Sequence, residues 1–300
     1  MLSRKCEEDS VKFQYSVLMS VYYKEKPEYL KQAIESILCQ TVQPDDFVLV
    51  CDGPLNLELD AVIAAKQQEM GDTLNVVRLV KNCGLGNALN EGIKHCKNEL
   101  VARMDSDDIS VMDRCQKQVE LFEKNPELDI TSGALLEFVT SPDQITGGRT
   151  IPCNNDEIIH YSRKRCPFNH PCVMFKKSAV ERAGGYQEKY HLFEDYYLWI
   201  RMLQNGCKAQ NLSDVLLYMR TPADMYLRRG GIAYAKAMLR FHWWVHKSGW
   251  TSLVDFCTGA LPHAIVCVMP NKLRQMIYRN LHPSGGGTKY YENCSVDTVP

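Results

Sequence analysis

The strongest constraint on the fold is an alternation in the first third of the chain: short apolar runs, each closed by a polar turn, separated by segments of helical spacing. Ser16 to Val21 is β-prone and ends in Tyr22-Tyr23-Lys24-Glu25. Pro27 then suits the first turn of a helix, and Leu30, Ile34, Ile37 and Leu38 recur on one helical face. Phe47 to Cys51 ends at Asp52-Gly53-Pro54, and a helix is expected around Leu57 to Met70. A third strand over Leu74 to Val80 runs into Lys81-Asn82-Cys83-Gly84-Leu85-Gly86, and a helix over Asn87 to Cys96 leads to a fourth apolar run from Val101. Strands apolar on both faces, with helices between them, predict a mostly parallel sheet covered on both sides. The ligand crevice of such a sheet lies outside the carboxyl ends of its strands. The polar turns after all four strands therefore converge on one edge.

The fourth of those turns is the most acidic, Asp105-Ser106-Asp107-Asp108, with three carboxylates in four positions. Closely spaced acids at the end of a buried strand offer a hard divalent cation oxygen ligands, and such a cation commonly bridges to a substrate phosphate. The same residues equally describe a solvated turn in which Asp108 or Ser110 caps the next helix.

Further along, a helix is expected from Met112 to Lys124, a strand over Ile130 to Val139, a Gly-containing loop over Ser141 to Arg149 and a helix through Tyr161 capped at Asn154 to Asp156. A short strand Cys172 to Phe175 precedes a helix to Ala183, stopped by Gly184-Gly185. Tyr196, Trp199, Ile200 and Leu203 form a helical stripe, which puts Glu194 and Asp195 at or just before a helix N-terminus, where the dipole favours an ionised carboxylate. His170 either lines an acceptor site, approaches a metal or is structural; Arg228 and Arg229 offer guanidinium donors for a diphosphate or form a solvated turn before a helix over Ile232 to Lys247.

Composition narrows the class. With 300 residues, 45% of them hydrophobic, the chain can bury a sizeable core, and a net charge of -1 gives no argument for nucleic acid. Basic residues dominate only from Arg220 to Arg279. The 13 cysteines show no CxxC pair or zinc spacing, which suits a reducing cytosol with cysteines as small buried hydrophobes. The charged start, Met1 to Asp9, lacks the apolar core of a signal peptide, and no run reaches the roughly 18 apolar residues of a membrane span. The broken apolar stretch Leu253 to Met269, followed by Lys272, Arg274 and Arg279, suits a helix lying in an anionic membrane interface, or a helical pair packed on the main domain.

Other nucleotide signatures fail. After Gly84 and Gly86 the third glycine of a dinucleotide fingerprint would fall on Leu89, and the chain carries neither a phosphate-binding Walker loop nor a GxSxG elbow. Taken together, Ser16 to Val21 with Tyr22 and Tyr23, Ile34 to Thr41, Asp52-Gly53, Asn82 to Asn90, Asp105-Ser106-Asp107-Asp108 and Glu194-Asp195 resemble, in order, the motifs of family 2 glycosyltransferases of the GT-A fold. The resemblance covers roughly residues 15 to 230, and is nearest to the bacterial branch that builds capsule, exopolysaccharide or lipopolysaccharide sugars.

That resemblance implies a GT-A fold of α/β class, with a Rossmann-like nucleotide-binding half over residues 15–110 and an acceptor half over 111–230. A polar arm (1–14), C-terminal helices at a membrane interface (231–283) and a tail (284–300) flank it. It implies an inverting, metal-dependent hexosyltransferase-like enzyme that moves a sugar, from a UDP-sugar above other donors, to a glycan or lipid-linked acceptor. Asp52, Val21 and Glu25 would form the nucleotide pocket; Asn82, Gly84 and Gly86 would lie along nucleotide and sugar. Asp105 and Asp107 would meet ribose and Mn2+ or Mg2+, and Asp195, with Glu194, would be the catalytic base. Location in the cytoplasm, peripheral at the inner face of the cell membrane, follows from a lipid-linked acceptor. Two positions depart from the family pattern: Ser20-Val21-Tyr22-Tyr23 replaces Pro-x-Tyr-Asn, and Cys51 replaces the first acid before Asp52. A sugar nucleotidyltransferase, or a nucleotide-sugar or glycan-binding protein without turnover, are the competing readings; the first expects a Gly-rich loop where Tyr22-Tyr23-Lys24-Glu25 stands.

Overall fold

The protein is described here by a computed structural model over residues 14–221, 230–270 and 273. Four strands, β1 (Tyr15–Val21), β2 (Asp46–Cys51), β3 (Leu74–Arg78) and β4 (Leu100–Asp105), alternate with helices α1 (Pro27–Leu38), α2 (Leu57–Met70) and α3 (Leu85–His95). They pair in parallel in the order β3-β2-β1-β4. The chain builds outward from β1 in one direction and then crosses to its other side, so a topological switch point lies between β1 and β4.

Beyond β4 the sheet continues with β9 (Met174–Lys176), β6 (Leu128–Thr131) and β10 (Lys208–Ala209), where β9 runs antiparallel to both its neighbours. A second sheet joins β5 (Ile109–Ser110), β11 (Val215–Arg220), β7 (Ala134–Phe138) and β8 (Ile145–Arg149). The expected single strand over Ile130 to Val139 is thus two strands in two sheets. At the break, Ser132 N–H donates to Asn211 Oδ1 and Ser132 Oγ donates to the Asn169 carbonyl, while a Cβ on Gly133 would lie 2.5 Å from Leu216 Cδ1. Side chains replace the ladder there, and only glycine permits the approach. The expected loop over Ser141 to Arg149 contains the edge strand β8, held on β7 by a 2.6 Å bond from Arg149 Nε to Glu137 Oε1.

The sheet divides the core. Val17, Met19, Leu49 and Met104 face α1, α2 and α4 (Arg114–Lys124); Leu18, Val48, Val50 and Val101 face α3 and the later helices α6 (Lys177–Arg182) and α7 (Glu194–Gln204). A short helix, α5 (Asn155–Tyr161), contributes Ile158 to the second layer. Gly92 lets α3 sit close, since a Cβ there would fall 2.3 Å from Leu18 Cδ1 and 2.7 Å from Val50 Cγ2.

The stripe expected on α7 is buried, with Tyr196, Trp199, Ile200 and Leu203 all in the interior. Against α7 packs α8 (Ile232–Lys247), through Phe241 and Val245; α9 (Leu261–Val268), preceded by a π-helical turn Phe256–Ala260, packs on α8 through Ala264 and Cys267. Among the described residues no helix is long and apolar enough to cross a membrane. The basic segment expected after Asn271, most of the N-terminal arm and the tail lie outside the described residues.

Candidate active site

The register of the sheet aligns the strand ends. Val21 lies opposite Cys51, and Ser20 opposite Asp105, so the turns that follow β1, β2 and β4 leave the same edge side by side. Asp52 ties the first two to the third turn. Its N–H donates to the Val21 carbonyl at 2.8 Å, and its buried carboxylate accepts from Cys83 N–H at 2.7 Å and Gly84 N–H at 3.1 Å. Asn82 Nδ2 donates to the Asp52 carbonyl. Gly53, at φ 88°, sits so near that a Cβ would lie 2.5 Å from Asn82 N, which makes glycine obligatory. The outcome is an ordered turn that opens α3 at Gly84, with the helix N-terminus directed at the crevice.

The acids after β4 have separate surroundings. Asp105 is paired with the Arg103 guanidinium. Ser106 Oγ donates to Glu25 Oε2 at 2.8 Å, which brings the β1 turn onto the β4 turn. Burial, with the negative charges of Asp105 and Glu25, pushes the Asp107 carboxyl up to about 7. Asp108 does not cap a helix: it is buried and accepts from Arg220 N–H at 2.8 Å, and α4 begins only after Asp113. Burial together with Asp105 and Asp107 raises its pKa well above the usual carboxylate range. The Arg220 side chain completes the clamp, donating to the Asp107 and Thr140 carbonyls and to Gln32 Oε1, with its guanidinium 3.8 Å over the Tyr29 ring.

Among the described residues no group of three or more His, Cys, Asp or Glu side chains comes together as a metal cage. The donor set nevertheless fits a cation shared with a substrate. A magnesium-type ion takes one or two carboxylates and completes its shell with phosphate oxygens and water. The Asp107 carboxylate, crowded by Asp105 and Glu25, is where added positive charge gains most.

Glu194 and Asp195 form the first turn of α7 and are half-buried; Asp195 Oδ1 accepts from Tyr196 N–H at 2.7 Å, and Glu194 Oε1 lies 3.1 Å from His191 Nδ1. The start of α7 adjoins the start of α3: a Cβ on Gly86 would lie 3.3 Å from Tyr186 Cβ and 4.0 Å from Glu194 Cβ. Asn90 of α3 grips the Tyr186 backbone at both its N–H and its C=O, at 2.8 and 2.7 Å. The Tyr186 phenol, its pKa raised by burial, lies in the electrostatic reach of Arg103, Asp195 and Asp105. His170 Nε2 is 2.9 Å from that phenol and its ring packs edge-on to Trp199. Burial and the Arg103 charge hold the imidazole pKa well below its ordinary value. Arg228 and Arg229 lie outside the described residues.

Three participants escaped the sequence reading. Arg220 and Tyr186 carry no motif, and Arg103 stands inside an apolar run, where a lone cation was the one available signal. Gln40 enters the sequence only as part of a motif; its amide bridges the end of α1 to the Val111 carbonyl at 2.7 Å and to Cys115 N–H at 2.9 Å, fixing the segment that follows the acid loop.

A mostly parallel sheet with its switch point beside a set of carboxylates and two helix N-termini defines the class of α/β proteins that take a phosphate-bearing nucleotide at that edge. Residues 16–184 match the model of glycosyl transferase family 2. A UDP-Gal:alpha-D-GlcNAc-diphosphoundecaprenol beta-1,3-galactosyltransferase from Escherichia coli is 37% identical, over 91% of this chain and 98% of its own length. The amylovoran biosynthesis glycosyltransferase AmsE from Erwinia amylovora is 38% identical over 88% of this chain and 97% of its own. The chain belongs to glycosyl transferase family 2, and it is a glycosyltransferase. Among solved structures, mannosyltransferase PcManGT from Pyrobaculum calidifontis, in complex with GDP-Man and Mn2+, superposes with a TM-score of 0.60 at 16% identity, over 92% of this chain and 82% of that one. S. aureus TarS 1-349, in complex with UDP-GlcNAc, gives 0.59 at 15% identity, over 94% and 77%. The shared architecture is the expected GT-A fold.

Proposed function

We propose that the protein transfers a sugar from a UDP-sugar to a lipid-linked glycan acceptor in surface-polysaccharide synthesis, with inversion at the anomeric carbon and with Mn2+ or Mg2+ held at Asp107 and Asp105. The observation that supports this reading is the adjacency of two helix starts beside the strand ends that carry the acids: a Cβ on Gly86 of α3 would lie 4.0 Å from Glu194 Cβ of α7, and Asp105 ends β4 opposite Ser20 of β1. The relative from Escherichia coli, whose name gives UDP-Gal as donor and a diphosphoundecaprenol-linked acceptor, supports the choice of substrates.

In this reading Asp52, Val21 and Glu25 shape the nucleotide end, while Asn82 and the Gly84 to Gly86 turn follow the sugar and diphosphate. A bound divalent cation supplies neutralisation of the charge that builds on the departing diphosphate. Asp195 takes the proton of the acceptor hydroxyl, which attacks the anomeric carbon from the face opposite the phosphate. The carbon–oxygen bond to phosphate breaks with its electrons going to the nucleoside diphosphate, and no enzyme nucleophile is needed. A positioned carboxylate base contributes roughly 10²–10⁴-fold. His170, neutral beside Tyr186, lines the acceptor side.

The C-terminal helices supply the attachment. Leu261, Ile265 and Val268 are exposed at helical spacing on α9, Val254 and Cys257 are exposed just before it, and Arg163 to Arg165 lie alongside through a 3.1 Å ion pair between Lys164 and Asp255. Apolar side chains flanked by cations suit an anionic bilayer. We assign residues 15–230 to catalysis, the binding half at 15–110 and the acceptor half at 111–230, and 231–283 to this contact.

The test is turnover of a UDP-sugar panel with a polyprenyl-diphosphate-linked sugar as acceptor. Removing metal with EDTA, and separately Asp107→Ala or Asp195→Ala, is expected to lower turnover at least about 100-fold. Undiminished activity in all three would sink the proposal; pyrophosphate release would show nucleotidyl transfer instead.

A further inference from the structure

Arg103 is a cation at a position where the strand is otherwise core. It shares a face of β4 with Val101, and it is 1% exposed. A buried guanidinium is unfavourable unless its donors are paired, yet among the described residues Nη2 alone is satisfied, by Asp105 Oδ1, and Nε and Nη1 find no hydrogen-bond partner. Packing alone would be served as well by Met or Leu. Arg114, also buried, sits at the start of α4 and spends its guanidinium on the Arg103 carbonyl and Gln118 Oε1, so it fixes the β4 backbone and leaves the Arg103 side chain facing Asp105.

What distinguishes Arg103 is its single, charge-assisted contact with a carboxylate two residues on, at the end of the same strand. Asp105 remains 35% exposed in its side chain, so one oxygen is held from below while the carboxylate still opens to the crevice. A free aspartate would rotate about two torsions; a charge-assisted hydrogen bond from a rigid, buried fork removes that freedom before a ligand arrives. We propose that Arg103 is a positioning residue that locks the Asp105 carboxylate in the orientation presented to the nucleotide and its cation. The proposal rests on the nucleotide-sugar reading above.

The test uses the full chain and UDP with Mn2+ as the probe, followed by calorimetry, alongside thermal melting and the donor KM and kcat. For Arg103→Met we expect an unchanged or higher Tm, because the unpaired donors are gone and Asp105 stays solvated, with affinity for UDP and Mn2+ lowered about tenfold and kcat within about threefold of wild type. Arg103→Lys keeps the charge without the fork and is expected to lose about threefold. In an Asp105→Asn background, Arg103→Met should change affinity by less than about twofold, since its target is already altered.

Equal affinity of wild type and Arg103→Met, or an undiminished loss in the Asp105→Asn background, overturns the role. Should Arg103→Met fail to fold, Arg103→Lys decides alone: a loss in affinity at constant Tm supports positioning, and unchanged affinity overturns it. A wild-type chain that binds no UDP overturns the nucleotide reading and the role of Arg103 with it; wild-type binding matched by every variant overturns only the latter.

Discussion

Asp52 shows how one carboxylate can order a site before any ligand binds. Both its oxygens accept backbone amides of the turn that opens α3, so Asp52→Ala is expected to leave Cys83 and Gly84 N–H unsatisfied and to cost about 1–3 kcal/mol. A chemical-denaturation midpoint checks this; an unchanged midpoint would mean water replaces the carboxylate without loss. Residues of this kind were legible because their partners follow the strand logic. Asp52, Asn82 and the Gly84 turn all sit at strand ends, where a parallel sheet brings its loops together. Asp108, for which helix capping was one alternative, is illegible for the opposite reason. Capping is a local expectation, whereas its partner, Arg220 N–H, lies 112 residues on in a strand of the second sheet. Periodicity carries no information about such a pair, nor about the Arg220 bond to Gln32 across 188 residues.

Elements were legible where burial was two-sided. The first four strands and their helices follow from continuous apolar runs, and β3 ends at Arg78, two residues short of Val80. The pattern failed at Ile130 to Val139, where a β-prone segment interrupted by Thr131-Ser132-Gly133 crosses from one sheet to the other because Ser132 exchanges ladder bonds for bonds to Asn211 and Asn169. It failed again at Ile145 to Arg149, an edge strand with almost no apolar signal, whose pairing depends on β7 being there to receive it. At this scale the tightest joint is that of α3 with the sheet. Gly92→Ala is expected to overpack Leu18 and Val50 and cost about 1–3 kcal/mol, read as a fall in Tm with the fold retained. Tolerance without a Tm change would show that α3 can move out freely.

For the molecule as a whole, two consequences are measurable. Ile265 stands 58% exposed in the apolar stripe of α9, so Ile265→Asp is expected to reduce co-sedimentation with phosphatidylglycerol vesicles several-fold while leaving Tm and UDP binding as they are. Equal sedimentation of the variant and wild type would remove the stripe from the attachment. His242, buried between Tyr196 and Phe241, has its pKa lowered to about 4 by burial and by the nearby His263. The unfolded chain therefore binds the extra proton first. The stability this histidine permits is complete above about pH 6.5 and falls as the pH drops toward 4, by up to about 3 kcal/mol. His242→Phe should flatten that part of a stability profile; an unaltered acid limb would assign the loss to other groups.

The grip of Asn90 on Tyr186 has a further consequence for substrate choice. Bonds to both N–H and C=O of one residue resist rotation as well as translation, so the backbone at Tyr186 is tethered to α3. Under the roles proposed for Asp195 and the Gly84 turn, such a tether sets the spacing between base and donor, and acceptor choice becomes a matter of length as well as of affinity.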